Sequence, residues 1–249
     1  MKFRLRVVVV LGSLFVGAGC GGSSSNGSAM PAAAGTVRAR FVEGAPVLET
    51  LINGVPQNIG TTVYLRVDGQ TLSSSFNYGT MTQFLIVPAG AHSLEVLNSL
   101  GYRVGPCKIS ALTAGKDYTL ILVGSYPNYR VLSFEEPSGQ GSTQLSLYEA
   151  SPSVPRAGFG SFTVSNHSNF KQLGSTKLGN VATVSTAKRV SNFGGYVVGQ
   201  GSTKYTVTPS QVDGFDKHDA LPFHSAARLS LFFFDAGGSS GPVFGSLDR

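Results

Sequence analysis

The chain has 249 residues, a formal charge of +6, and only 13% charged residues against 41% hydrophobic ones. Beyond residue 19 its cations are scattered singly, with Lys188 and Arg189 the one adjacent pair, which excludes the clustered basic footprint of a nucleic-acid binder. With 32 Gly, 12 Pro and many Val, Thr, Phe and Tyr, the composition favours short strands and tight turns over helices.

The chain opens with Lys2, Arg4 and Arg6, an apolar run from Val7 to Val16, and then Gly17, Ala18, Gly19 and Cys20. The run is about half the roughly 20 residues a membrane-spanning helix needs, so the segment reads as an export signal that is removed. Its small-residue box closing on a cysteine resembles a bacterial lipoprotein signal. That resemblance implies cleavage before Cys20 and acylation of its thiol. It departs from the usual pattern in placing Gly17 where Leu commonly stands. The predicted layout is therefore a signal over residues 1–19, and an acylated Cys20 with a Gly- and Ser-rich tether over residues 20–36. Gly21 after the cysteine is compatible with sorting to the outer membrane. Residues 1–19 hold three of the nineteen Lys and Arg residues and no acid, so their removal lowers the formal charge from +6 to +3.

Strands are expected at residues 37–42, 62–67, 82–87, 92–97, 107–111, 118–123 and 130–134. In Val63-Tyr64-Leu65-Arg66-Val67 the odd positions are apolar and Arg66 must face water, the alternation of a half-buried strand. Asp68-Gly69, Ala89-Gly90 and Ala114-Gly115 supply turn signals. Cys107, among Val104, Pro106 and Ile109, reads as a small buried hydrophobe rather than a reactive thiol.

The second half repeats the plan. Residues 41–46 (FVEGAP) align with 147–152 (LYEASP), and 79–82 (GTMT) with 179–182 (GNVA). A third match sets Ala111 to Leu122 against Ala220 to Phe232, with Tyr118-Thr119-Leu120 facing Arg228-Leu229-Ser230. A duplication accounts for these matches, with residues 37–136 as one β-sandwich, 143–249 as a second, and 135–142 (EEPSGQGS) as linker. The fold class expected is all-β, with two tandem antiparallel sandwiches.

The pieces Val37 to Pro46, Val63 to Gly69, Tyr78-Gly79-Thr80, Val87 to His92 and Leu112 to Thr119 together resemble the domain-of-unknown-function family 4397. The likeness runs from Thr36 to about Phe134 and more loosely through the second half, where Asn166-His167 and Ala187-Lys188-Arg189 replace its turn signals. It implies a bacterial lipoprotein or secreted surface protein with immunoglobulin-like sandwiches, and it carries no activity with it.

For chemistry, the densest group is Asp213, Asp216, His218, Asp219 and His224, carboxylates and imidazoles of the kind that ligate a hard or borderline cation. Its spacing matches no standard site, and Lys217 in its midst opposes a cation. A metal-assisted hydrolase using Asp213, Asp216, His218 and His224 is the alternative to a binding role. Tyr126 and Tyr129, in the turn 126–130, are candidate contacts to a protein or glycan. The letters of a dinucleotide fingerprint at Gly17, Gly19 and Gly22 straddle the cleavage point, and those of a nucleophile elbow at Gly237, Ser239 and Gly241 are followed by Pro242, so neither is a site. Phe232-Phe233-Phe234 places rings on both faces of one strand, as expected where a second domain covers it. The expectation is a non-catalytic, membrane-anchored binding or structural module that needs no cofactor, with a protein or glycan ligand and no nucleic-acid partner.

Overall fold

A computed structural model of the chain describes residues 35–137, 143–163, 166–186, 193–197, 204–206, 212–213, 228–235 and 243–248. The lipidation residue Cys20 lies outside them. The described residues are all β, without helix. In the first half the strands are β1 (Thr36–Glu43), β2 (Glu49–Ile52), β3 (Val55–Asn58), β4 (Val63–Val67), β5 (Gln70–Ser73), β6 (Leu85–Pro88), β7 (Gly90–Asn98), β8 (Arg103–Leu112), β9 (Asp117–Val123) and β10 (Arg130–Glu135). The second half has β11 (Thr143–Glu149), β12 (Arg156–Thr163), β13 (Asn166–Lys177), β14 (Val181–Thr186), β15 (Phe193–Val197), β16 (Lys204–Thr206), β17 (Val212–Asp213), β18 (Arg228–Phe233) and β19 (Val243–Asp248).

Four sheets result, besides the β2–β3 hairpin. Their orders are β10-β9-β1-β6 and β5-β4-β7-β8 in the first half, and β14-β11-β18-β19-β17 and β13-β12-β15-β16 in the second. Alternation decides which side chains lie between the sheets. Val63, Leu65 and Val67 point inward to meet Ala39, Phe41 and Leu120 from the facing sheet, while Tyr64 and Arg66 are only half-buried. Leu145, Leu147, Phe159, Leu231 and Phe233 do the same in the second half. Cys107 is a free, buried thiol whose pKa burial pushes up to about 11, so it packs as the small hydrophobe the sequence suggested.

Four expectations are corrected. The sheets are not wholly antiparallel, because β1 runs parallel to β9, β11 parallel to β18, and β17 parallel to β19. The strand expected from Thr82 begins only at Leu85, because Thr82 is drawn off to bond Phe41 through both its backbone N–H and its hydroxyl. Glu135 and Glu136 are not linker: the first ends β10 and the second is buried. The third repeat match is displaced by one residue. Pairing sets Ala39 opposite Tyr118 and Leu145 opposite Leu229, so Tyr118 corresponds to Leu229 and Thr119 to Ser230. One residue matters here because it exchanges the two faces of a strand.

In this register the halves repeat one another bond for bond around the first strand. Gly79 donates to the carbonyl of Glu43 and Gly179 to that of Glu149, both at 2.8 Å. Gly44 donates to Leu122 and Ala150 to Phe233, both at 2.9 Å.

Candidate functional site

The outer face of the β10-β9-β1-β6 sheet meets the outer face of the β11–β18 sheet. Odd positions of the Phe triplet serve one core and even positions this junction: Phe233 lies in the second half's own core, whereas Phe232 and Phe234 pack with Val42, Ile121, Val123 and Phe134. Tyr148 stacks on Phe232 at 5.0 Å and meets Phe134 edge-on at 5.5 Å. The interdomain contact expected of the triplet is therefore present.

At the centre of this apolar junction sits Arg40, 2% exposed. Its Nε donates to Thr119 Oγ1 at 2.7 Å, and its Nη2 to Glu136 Oε1 at 3.1 Å and Ser230 Oγ at 3.0 Å. Its guanidinium carbon lies 4.9 Å from the ring centre of Phe84 and 5.2 Å from that of Phe232. Glu136 is shared: it also accepts from the Thr119 hydroxyl, from the Tyr148 hydroxyl at 2.7 Å and from Arg228 Nη1 at 3.4 Å. Burial, and then the Glu136 charge, raise the Tyr148 phenol well above its ordinary value, so it stays a hydrogen-bond donor. Such a network is specific in geometry and closed to solvent. Its chemistry is that of a fastening between halves.

Exposed apolar surface lies elsewhere. Among the described residues the exposed large hydrophobics are Val47, Leu51, Val55, Ile86, Leu100 and Tyr102. Val47, Leu51 and Val55 belong to the β2–β3 hairpin and its approach, and Leu100 and Tyr102 to the turn joining β7 to β8. The hairpin closes through Asn53 and Gly54, at φ 52° and 80°, the left-handed pair a two-residue turn demands. Its base is pinned: Leu48 is buried, Ile59 donates to Leu48 O at 2.9 Å, and Asn98 Nδ2 donates to Ile59 O at 2.9 Å. That last bond ties the Leu100 to Tyr102 turn to the hairpin. This surface is at the strand end where β1 finishes, opposite the end at which the chain enters through Thr36.

Tyr129 is part of the same fastening. Its hydroxyl accepts from Glu49 N at 2.7 Å and donates to Val47 O at 2.9 Å, while its ring packs against the first core. Tyr126 is half-buried in the adjoining turn. The two tyrosines singled out from sequence are thus near the exposed patch, with Tyr129 committed to holding the hairpin. The apolar residues of the hairpin escaped sequence analysis, although Asn53-Gly54 between short apolar runs was a usable signal. Of the candidate metal ligands, Asp213 lies in β17, backbone-paired with Ser246. Asp216, His218 and His224 lie outside the described residues.

Two buried glutamates occupy equivalent places at the ends of β1 and β11. Glu43 Oε1 accepts from Ala45 N at 2.7 Å and Glu149 Oε1 from Ser151 N at 3.0 Å, and in both residues Oε2 is buried without a partner. Burial raises Glu43 well above the ordinary carboxyl range and lifts Glu149 to about 8. The Ser151 N–H opposes the rise at Glu149, and Asp235 adds to it.

Residues 48–157 match the family model described as Domain of unknown function (DUF4397). The matched stretch begins after β1 and continues beyond Phe134 through β11, so it takes in the first strand of the second half. Over these residues the chain resembles that family, and the description assigns no activity. No curated protein matches the chain. Among solved structures it is similar to a family 26 carbohydrate-binding module from Eubacterium rectale Amy13K, crystallised with maltoheptaose. Identity is 10%, with 84% of this chain and 95% of that one covered, at a TM-score of 0.22.

Proposed function

We propose that the chain is an envelope lipoprotein, cleaved before Cys20 and held by an acyl anchor in the outer membrane. In this reading its two β-sandwich modules, residues 37–136 and 143–249, form one non-catalytic binding unit. The observation that carries the binding role is the placement of exposed apolar side chains. Val47, Leu51, Val55, Leu100 and Tyr102 gather on the hairpin and the turn bonded to its base, at the end remote from Thr36. Exposed apolar residues collected in one place favour association over solvation. Because most are aliphatic, with Tyr102 the one exposed aromatic among the described residues, the surface suits an apolar protein segment better than a sugar face, which would need ring platforms. A tether entering at Thr36 leaves this end free to meet a partner.

Photo-crosslinking residues placed in cells at Leu51 and at Leu100 test the reading. Discrete adducts are expected at both, lost when the other site carries Leu→Ser, and none at Ala114 at the opposite end. Equal labelling at all three positions would refute the binding surface. Intact-mass measurement of membrane material tests the anchor, where a chain beginning at an unmodified Cys20, or one retaining Met1, would contradict it.

A further inference from the structure

We infer that the second half carries a divalent-cation site suited to calcium, formed by the carboxylates of Glu149 and Asp235 with the hydroxyls of Ser151 and Ser153. The two halves provide an internal comparison. Register makes Glu43, Ala45, Val47 and Gly124 the counterparts of Glu149, Ser151, Ser153 and Asp235. The buried glutamate is common to both, but the three positions around it are without polar side chains in the first half and all oxygen-bearing in the second.

Glu149 is 0% exposed, and its Oε2 is a buried carboxyl oxygen with no hydrogen-bond partner. The N–H of Ser151 donates to Glu149 Oε1, while its hydroxyl donates to Asp235 Oδ1. Ser153 approaches the same Oδ1 with its backbone N–H at 3.2 Å and its hydroxyl at 2.5 Å. Among the described residues neither carboxylate is paired with a cation, and the negative charge of Asp235 acts directly on Glu149. Two carboxylates sharing one cradle disfavour each other's ionisation unless a proton or a cation intervenes. Hydroxyls accept as readily as they donate, so both serines can turn lone pairs to an ion.

The donors are all oxygen, the set that suits calcium or magnesium rather than thiophilic metals. Ser153 is exposed and Asp235 half-buried, whereas Glu149 and Ser151 are buried. The site is held rigidly from across the junction: the Tyr78 hydroxyl donates to Asp235 O at 2.6 Å, and its ring meets Phe234. In the first half the position matching Asp235 is Gly124, so Glu43 has no second carboxylate there.

Calorimetric titration of calcium chloride into the full chain in detergent, after EDTA treatment and dialysis, tests the site. Saturable binding of one ion is expected, with a raised unfolding midpoint. Glu149→Gln and Asp235→Asn should each weaken binding by more than about tenfold. Glu43→Gln should bind like the parent. Far-UV circular dichroism verifies folding, and if Asp235→Asn fails to fold, Ser153→Ala at an exposed position should still fold and weaken binding severalfold. Absence of saturable heat would overturn the site, leaving a proton as the occupant of Glu149. Binding that survives in Asp235→Asn, or that disappears with Asp213→Asn or His218→Ala, would also overturn it.

Discussion

Arg40 shows how one buried charge organises a junction. Glu136 pairs with it, and the Thr119, Ser230 and Ser246 hydroxyls accept from it. Removing one partner strands the other in an apolar layer, so Arg40→Ala should cost about 3–5 kcal/mol in denaturant unfolding. Replacing Arg40 and Glu136 together by Met and Leu should cost less, since the charge then left without Glu136, that of Arg228, is partly exposed and still bonded to the Pro137 carbonyl. Glu149 and Asp68 make stability depend on pH in opposite directions. Glu149 titrates higher in the folded chain than unfolded, so stability is full below about pH 4.5 and falls as pH rises toward about 8. Glu149→Gln, measured in EDTA, should flatten that decline and be more stable than the parent at pH 8. Burial pulls the Asp68 carboxyl up, but the His92 contact at 2.6 Å and the Ser93 N–H outweigh it and hold it below its ordinary value. Its contribution is present above about pH 3.8 and is lost as pH falls. Asp68→Asn should remove that acid-side loss in a pH series of unfolding midpoints.

At the scale of elements, one phenol, that of Tyr129, adds two bonds to the fixing of the β2–β3 hairpin. Tyr129→Phe deletes both bonds to Val47 and Glu49 and should cost about 1–2 kcal/mol. Hydrogen exchange should speed up at residues 49–58 while β1 and β9 stay protected, and uniform acceleration would show that the hydroxyl has no such local task. The strands legible in the sequence were those with clean alternation or dense β-branching, such as 63–67 and 118–123. The hairpin was missed because Glu49, Thr50, Pro56 and Gln57 dilute its apolar signal below the level that periodicity can detect. The one-residue error in the third repeat had a similar origin. Leu120-Ile121-Leu122 is apolar at every position, so nothing local reports which face each residue takes, and only pairing with β1 decides it. The Glu149 cradle was invisible because Asp235 is 86 residues away from Glu149 in the chain and reaches it through a parallel pairing.

For the molecule as a whole, the junction binds residues 34–249 into one compact unit. Gly44 lies at a close approach within it, where a Cβ would meet the Phe234 ring at 2.7 Å and Ile121 at 3.1 Å. Gly44→Ala should therefore cost about 1–3 kcal/mol by forcing the halves apart, read as a lowered unfolding midpoint. The proposed binding end lies on the first half and the proposed ion cradle on the second, and the junction couples the two. Denaturant unfolding of the full chain in detergent, followed at once through hydrogen exchange of β4 and β12, tests that coupling. One shared midpoint is expected, separating into two in Arg40→Ala, whereas two independent midpoints in the parent chain would contradict it.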